Sequence, residues 1–351
     1  MPKRIVICCD GTWNNPDQQQ NGVPCPSNVT KVALCVAPAD AKGIEQRVFY
    51  DKGVGTGPFD RLRGGAFGWG IKKKIVEAYS FLVENYDSGD ELFFFGFSRG
   101  AYTARSTFGL IRNSGLLKRE CADKMEAAYD LYRRRDKASH PTQMESTLFR
   151  KSYSHEPGAR FIGVWDTVGA LGLPVSKFFK FLNYRWSFHD VQLSRWVDNA
   201  YQALAIDEKR KPFQPAVWEQ NADAPGQVLE QVWFAGVHSN VGGSYANTGL
   251  SDIALLWMVN KAEGCGLEFD RAQLKAMVKP DPLGMMQESL TWYYKLFSGA
   301  YIRPLAPPSS LIWNESAAST AVDRQNDPPS KYNPPNLIAY LKRGGKVTKV
   351  P

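Results

Sequence analysis

The stretch LFFFGFSRGAYTAR, residues 92–105, decides the fold. Its first six residues are apolar apart from one glycine, which predicts a strand buried on both faces. After Ser98 the apolar positions follow a helical period, at Ala101, Ala104, Phe108 and Ile111. A buried strand that leads directly into a helix is typical of α/β proteins, so we expect a mostly parallel sheet with helices on both faces.

The same stretch contains the pattern Gly96-x-Ser98-x-Gly100. In this pattern the serine lies on a sharp turn between strand and helix, and its hydroxyl projects from the edge of the sheet. The two glycines leave room for the strand and helix backbones, and the N–H groups of the first helical turn face a developing oxyanion. A five-residue match also occurs at ordinary turns, but its position here predicts an α/β-hydrolase-like fold with a nucleophilic serine.

Four histidines are candidates for the base that a serine nucleophile needs. His140 and His155 lie in polar, charged stretches and are expected at the surface, whereas aromatic neighbours suggest a structural or lid role for His189. His238 ends the apolar run at residues 232–237 and opens a predicted turn. Because catalytic bases belong on such strand-end loops, we expect His238 to be the base, with a structural histidine as the alternative.

Asp166 is the expected acid, since it directly follows the apolar strand predicted at residues 161–165. The chain order serine, aspartate, histidine is that of α/β hydrolases. Two other carboxylates are rivals. Asp10 ends the first predicted strand, and Asp252, at a predicted helix start, comes after the histidine and would break the order.

An oxyanion hole takes one N–H from the residue after the nucleophile, which is Arg99, and one from a loop that follows an early strand. The loop Asp10-Gly11-Thr12 occupies the second position. We expect Gly11 or Thr12 to donate and Asp10 to brace the loop, although a glycine after any strand gives a similar pattern.

Two other patterns fail at decisive positions. Residues 8–12 resemble a phosphatase signature, but Cys8 stands where that chemistry needs an aspartate. The glycines at 53–57 lack the third glycine of a dinucleotide-binding loop, because Pro58 follows them. The sequence also has no C-x-x-C and no H-E-x-x-H spacing, so it predicts no metal and no cofactor.

The composition is that of a globular protein. The 351 residues allow two domains or one large one, and 43% hydrophobic and 22% charged residues exclude global disorder. No apolar run approaches the length that spans a bilayer, and the N-terminus lacks a secretory signal. We therefore expect a soluble protein, cytoplasmic as synthesised, whose export would need a specialised secretion system. Six cysteines are too few for a disulfide scaffold.

Further elements are predicted along the chain. Strands are expected at 4–9, 46–50, 92–97, 161–165 and 228–237, and helices at 29–37, 70–86, 191–205 and 252–263. We expect one catalytic domain over residues 1–280, with inserts near 115–158 and 174–195. A segment rich in proline and aromatic residues, 281–351, is expected to pack on the same domain without a clear periodicity.

With these pieces placed, the chain resembles domain-of-unknown-function family 2235, whose α/β hydrolases include the catalytic region of type VI secretion phospholipase effectors. The resemblance rests on six stretches: VICCDGTWNN at 6–15, GVGTG at 53–57, FFFGFSRGAYTAR at 93–105, FIGVWDTVGALG at 161–172, ALAIDEKRKPFQPAVW at 203–218 and VWFAGVHSNVGGSY at 232–245. It implies the same triad, Ser98, Asp166 and His238. Asn240 stands where the family usually has an acidic residue, which weakens the supporting role expected at that position.

These observations predict a serine esterase or lipase that acts on lipid-like esters, including phospholipids. Aromatic residues alternate with cations at 177–186 and 292–297, a composition suited to peripheral contact with an anionic membrane, though also to a lid or to core. A non-catalytic interaction module with the same fold is the alternative. The net charge of +8 admits anionic partners, but the basic run at 133–137 favours a solvated helix face, so no nucleic acid is expected.

Overall fold

The computed structural model describes residues 2–11, 14, 17–53, 66–134, 136–168, 192–289, 301–306 and 314–351. Its strands are β1 (Arg4–Cys9), β2 (Gln19–Gln20), β3 (Val23–Pro24), β4 (Gln46–Asp51), β5 (Glu91–Phe97), β6 (Leu116–Leu117), β7 (Ser154–His155), β8 (Ala159–Trp165), β9 (Asn199–Ala205), β10 (Val228–Phe234), β11 (Glu315–Ala318) and β12 (Val347–Thr348). Its α-helices are α1 (Asn28–Cys35), α2 (Ala66–Asn85), α3 (Arg99–Ser114), α4 (Met125–Arg133), α5 (Met144–Tyr153), α6 (His238–Gly242), α7 (Gly249–Gly264), α8 (Arg271–Met277), α9 (Ser319–Asn326) and α10 (Pro335–Lys342).

Eight of these strands form one sheet, in the order β12-β11-β10-β9-β8-β5-β1-β4. Every neighbouring pair whose register the structure gives is parallel. The predicted α/β class with a mostly parallel sheet is therefore confirmed. β5, which carries the deciding stretch, lies inside the sheet between β8 and β1.

Both faces of the sheet are buried. In β1, Val6 and Cys8 belong to one hydrophobic core, and Ile5 and Ile7 belong to the other. The first core also contains apolar residues of α1 and α7, and the second contains apolar residues of α2 and α3. Because successive strand residues point to opposite faces, the predicted helices on both sides of the sheet are confirmed.

The helix predicted over residues 191–205 is wrong. Residues 199–205 form β9, which pairs with β8 on one side and β10 on the other. Ala200 packs in one core and Tyr201 and Ala203 pack in the other, so the apolar residues do not alternate cleanly with polar ones. A short apolar run of this kind does not distinguish a strand from a helix, and the sheet decides it.

The chain beyond residue 280 adds two strands to the same sheet. β11 pairs with β10, and β12 pairs with β11 at the sheet's edge. α9 and α10 contribute Ala321, Leu337 and Tyr340 to the first core. No helix in the described part of the chain is long and apolar enough to cross a membrane. The six cysteines are free thiols, and all but Cys121 are buried.

Candidate active site

The predicted site residues follow the carboxyl ends of the strands. Ser98 follows β5, Asp166 follows β8 and Asp10 follows β1, while His238 lies four residues beyond β10. In a parallel sheet these ends share one edge, which is where α/β proteins bind their ligands. The strand order puts Ser98 between Asp166 and Asp10.

Ser98 has a strained backbone, with φ 57° and ψ −121°. Positive φ is uncommon outside glycine, costs about 1–3 kcal/mol and persists only where the surroundings enforce it. Those surroundings are tight: a Cβ on Gly96 would lie 2.5 Å from Cα of Ala101, and one on Gly100 would lie 2.1 Å from the carbonyl of Cys9. The strand, turn and helix therefore fit together only with glycine at both positions.

Two N–H positions were expected to form the oxyanion hole. Arg99 is the first residue of α3, so its N–H lies at the positive end of the helix dipole. The N–H of Gly11 instead donates to Oδ1 of Asp10 at 2.6 Å. The donor expected from Gly11 is thus already used inside its own loop. Thr12, the other candidate, lies outside the described residues.

Asp10 is buried, and all the donors that the structure gives it are neutral. Oδ1 accepts from Gly11 and Asn14, and Oδ2 accepts from three hydroxyls. The five donor–acceptor distances are 2.6 Å from N of Gly11, 3.2 Å from Nδ2 of Asn14, 2.6 Å from Ser27, 2.8 Å from Thr30 and 2.8 Å from Tyr50. Asp10 therefore ties the loop after β1 to α1 and β4.

His238 and Asp166 are in direct contact. Nδ1 of the imidazole lies 2.5 Å from Oδ2 of Asp166, and because a carboxylate accepts, Nδ1 is the donor. Asp166 is fully buried and His238 is 5% exposed. Phe97 and Phe213 flank the imidazole, with ring centroids 4.7 and 5.0 Å from its own. Since Phe97 directly precedes Ser98, the imidazole lies beside the strained turn.

Burial and charge set the protonation of this pair. Burial lowers the pKa of His238 below its ordinary value of 6.5, although its hydrogen bond to Asp166 acts in the opposite direction. Burial alone would raise the pKa of Asp166, but the charge of Arg303 and the hydrogen bond from His238 hold it below its usual value. The site thus contains an ionised aspartate and a neutral imidazole at neutral pH.

Arg303 is a site residue that the sequence analysis missed. It is fully buried, and its two Nη atoms donate to the two oxygens of Asp166 at 2.6 and 3.0 Å. It also donates to the carbonyls of Ala205, at 2.9 Å, and Phe213. The only signal in the sequence is a lone arginine in the apolar run Tyr301-Ile302-Arg303-Pro304-Leu305.

Glu208 is a second missed residue. It is buried, accepts from the backbone N–H of His238 at 3.3 Å, and forms a salt bridge with Arg210 at 2.8 Å. Burial alone would raise its pKa, but the hydrogen bond and charge of Arg210 lower it overall. Glu208 and Arg210 both lie shortly after β9, the strand that lies within the predicted helix 191–205.

The turn predicted after His238 is the short helix α6. Asn240 lies in it and connects two loops: Oδ1 accepts from the N–H groups of Val237 and Gln287, and Nδ2 donates to the carbonyl of Met285. Gly242 lies so close to β5 that a Cβ there would approach the ring of Phe97 to 2.0 Å. Asn240 therefore supports the position of His238 without contacting Asp166.

The rival residues have other partners. Asp252 lies in the first turn of α7, but it is buried and forms a salt bridge with buried Lys31 at 2.5 Å. His140 is exposed and bonds to Thr142. His155 is half-buried on β7, and His189 lies outside the described residues. Within the described ranges, no group of three or more His, Cys, Asp or Glu could hold a metal ion.

Comparisons with known proteins support a lipase-type family. The family model described as "T6SS, Phospholipase effector Tle1-like, catalytic domain" matches residues 3–261. An uncharacterized protein of Saccharomyces cerevisiae is 28% identical over 234 residues, which are 60% of this chain and 32% of that protein. The chain thus spans about a third of the length of this curated relative.

Two solved structures align with parts of this chain. An uncharacterized protein from Pseudomonas aeruginosa aligns over 79% of this chain and 48% of its own, with a TM-score of 0.46 and 17% identity. A Tle1 effector, solved bound to the VgrG spike of a type 6 secretion system, aligns over 80% of this chain and 77% of its own, with a TM-score of 0.45 and 15% identity. On the match over residues 3–261, the chain belongs to the family of type VI secretion Tle1-like phospholipase effector catalytic domains.

Proposed function

We propose that this chain is a serine hydrolase that cleaves carboxylic esters of lipids, with Ser98 as nucleophile, His238 as base and Asp166 as the acid that orients the base. One observation carries the proposal: a buried histidine–aspartate pair lies at the carboxyl edge of the sheet beside a serine with φ 57°. A serine held in a strained turn next to such a pair is the arrangement that acyl transfer requires.

In this mechanism Oγ of Ser98 attacks the ester carbonyl while Nε2 of His238 takes the hydroxyl proton. The tetrahedral intermediate collapses to an acyl-serine, and the imidazolium gives its proton to the departing alcohol. Water then attacks the acyl-serine with His238 again acting as base, which releases the fatty acid and restores the serine. Because Nδ1 donates to Asp166, it carries the proton of the neutral imidazole, and Nε2 is left unprotonated and able to accept the proton of Ser98.

The negative oxygen of the intermediate needs two N–H donors. We assign the first to Arg99 at the start of α3. The second is assigned to Thr12, since the N–H of Gly11 already donates to Asp10. Asp10 then contributes indirectly, through its bonds to Gly11 and Asn14, which precede and follow Thr12 in the chain.

A phospholipid is the proposed substrate class, because the family is that of phospholipase effectors. The net charge of +8 favours approach to an anionic lipid surface. The two aromatic and basic stretches, 177–186 and 292–297, lie outside the described residues, so their contact with a membrane stays a prediction.

Covalent labelling tests the proposal. A fluorophosphonate should label the folded wild-type protein on Ser98, and Ser98→Ala should remove both the label and hydrolysis of a short-chain ester. Ser106→Ala is the matched control, because Ser106 is a buried serine of α3 two turns beyond the nucleophile. Absence of labelling and of hydrolysis on folded protein would instead favour the non-catalytic interaction module.

A further inference from the structure

We propose that Arg303 is a positioning residue, which fixes the Asp166 carboxylate toward His238 and sets the pH range over which the site is active. This inference rests on the proposed function and adds a fourth residue to the proposed triad of Ser98, His238 and Asp166. Arg303 lies 137 residues beyond Asp166 in the chain and shares no sequence pattern with it.

Arg303 bonds both oxygens of the Asp166 carboxylate. A planar guanidinium matches both oxygens of a carboxylate, and here each Nη atom of Arg303 bonds a different oxygen of Asp166. The backbone N–H of Ala205 donates to Oδ1, and Nδ1 of His238 donates to Oδ2. With two donors on each oxygen, the carboxylate cannot rotate without breaking a charge-assisted bond. The imidazole is thereby held in one orientation.

Arg303 is itself held in place. Its Nη atoms also donate to the carbonyls of Ala205, at the end of β9, and of Phe213, whose ring packs on His238. The guanidinium therefore links the acid, the strand end and the wall of the imidazole pocket. A group fixed before the reaction costs no reorganisation during it, which is why preorganised charges are effective in catalysis.

Charge near the imidazole supports the same role. Among the described residues, the charged groups beside the imidazole form two pairs, Asp166 with Arg303 and Glu208 with Arg210, and the formal charges of these four residues cancel. The other titratable group beside the second pair is the phenol of Tyr245, whose pKa is raised by burial. With the charges balanced, burial dominates and lowers the pKa of His238. The positive charge of Arg303 beside Asp166 offsets part of the stabilisation that this carboxylate gives to the protonated imidazole.

The 301–306 segment is also anchored by bonds that do not use the Arg303 side chain. The backbone N–H of Tyr301 donates to the carbonyl of Lys209 at 2.9 Å. Nδ2 of Asn336 donates to the carbonyl of Arg303 at 3.1 Å and to that of Ile206 at 3.0 Å.

The test compares two variants. Arg303→Met removes both the positive charge and the paired hydrogen bonds to the two oxygens of Asp166, whereas Arg303→Lys keeps only the charge. On a soluble short-chain ester, Arg303→Met should lower kcat by about 10²-fold, the scale of one preorganised group. In the pH profile of kcat/KM, the fall in activity on the acid side (the acid limb) reports protonation of His238. Arg303→Met removes a positive charge near the imidazole, which raises the pKa of His238, so the acid limb should move to higher pH by about one unit. Arg303→Lys should keep the limb near its wild-type position and lose about tenfold in kcat, because one ammonium cannot hold both oxygens.

Arg324→Met is the matched control. Arg324 is also a buried arginine from the chain beyond residue 280, but it donates to the carbonyls of Pro282 and Gly284. Its replacement should lower thermal stability and leave the acid limb unmoved. Circular dichroism and fluorophosphonate labelling of each variant check that the fold and the nucleophile are intact.

A folded Arg303→Met protein whose acid limb matches the wild type would overturn the inference, even with a lower rate. If that variant does not fold, Arg303→Lys decides: a tenfold lower kcat at unchanged KM supports the positioning role, and wild-type kcat overturns it. Failure of the proposed function looks different, because the wild-type protein would then carry no label on Ser98.

Discussion

Two buried carboxylates flank the strand that carries Ser98, and their partners differ. Asp10 and Asp166 both follow apolar strands that neighbour β5, so the sequence presents them alike. Asp10 accepts five hydrogen bonds from neutral groups. Asp166 accepts from a guanidinium, an imidazole and one backbone N–H.

This difference in hydrogen-bond donors suits the two carboxylates to different roles. Hydroxyl and amide donors hold the Asp10 carboxylate, and none of them exchanges protons near neutral pH. Tyr50 is an example, because burial and the charge of Asp10 raise the pKa of its phenol, which therefore stays a donor. Asp166 contacts the one type of side chain that titrates near neutral pH, so its charge acts on a proton that moves. Asp10 is thus suited to shaping a loop, and Asp166 to orienting a base.

The largest expected effect is that of Asp166→Asn. The amide keeps the shape of the carboxylate, but its NH₂ group opposes either Nδ1 of His238 or the Arg303 guanidinium. The imidazole then loses its orientation, and the comparable change in a serine protease lowers kcat by about 10⁴-fold. Steady-state rates on a short-chain ester measure this, with circular dichroism as the check on folding. A variant that keeps most of its activity would remove Asp166 from the proposed triad.

The next effect is on stability and concerns Asp252, the third candidate for the acid. Asp252→Asn leaves Lys31 buried, 2% exposed, without its carboxylate partner. Breaking one side of a buried ion pair costs about 3–5 kcal/mol of unfolding free energy. Urea unfolding should show this loss, while kcat per folded molecule stays near wild type because Asp252 does not contact His238.

The double variant Lys31→Met with Asp252→Asn is the control, because it removes both charges and should recover much of the lost stability. A drop in kcat comparable to that of Asp166→Asn would place Asp252 in the catalytic machinery instead. An Asp252→Asn protein as stable as wild type would show that the ion pair adds little to the fold.

The sequence could predict what adjacent residues decide. Gly96, Ser98 and Gly100 lie within five positions, and the change from apolar run to helical period identifies the turn without any long-range contact. Asp166 and His238 were placed by the same reasoning, each at the end of an apolar strand. The parallel sheet then brings these ends to one edge.

Long-range contacts decide the rest. Arg303 meets Asp166 only because residues 301–306 return to the end of β9, and no local period records that path. The helix predicted over residues 191–205 misses β9, because a short apolar run does not distinguish a buried strand from a helix, and Glu208 lies in the turn that follows β9. The hydrogen bond from the N–H of Gly11 to Asp10 joins neighbouring residues, but it depends on the orientation of the Asp10 side chain, which the spacing of residues in the sequence does not define.

The smallest effects are expected around Asp10. Asp10→Asn should lower kcat by at most about 10²-fold. It disturbs the loop that is proposed to carry one oxyanion donor, but it leaves the contact between His238 and Asp166 intact. Three of its five donors are hydroxyls, from Ser27, Thr30 and Tyr50, and a hydroxyl can also accept from the new amide. The acid limb of kcat/KM should not move, since Asp10 does not contact His238.

Tyr50→Phe gives the finer version of the same measurement. It removes one donor and leaves Asp10 with four, so we expect a loss of about 1 kcal/mol in unfolding free energy and a change in kcat of about threefold or less. A network of neutral donors should weaken gradually in this way, whereas loss of the single guanidinium on Asp166 should change both rate and pH dependence. If Tyr50→Phe moves the acid limb as far as Arg303→Met does, Asp10 belongs to the proton-transfer system and the division between the two carboxylates is wrong.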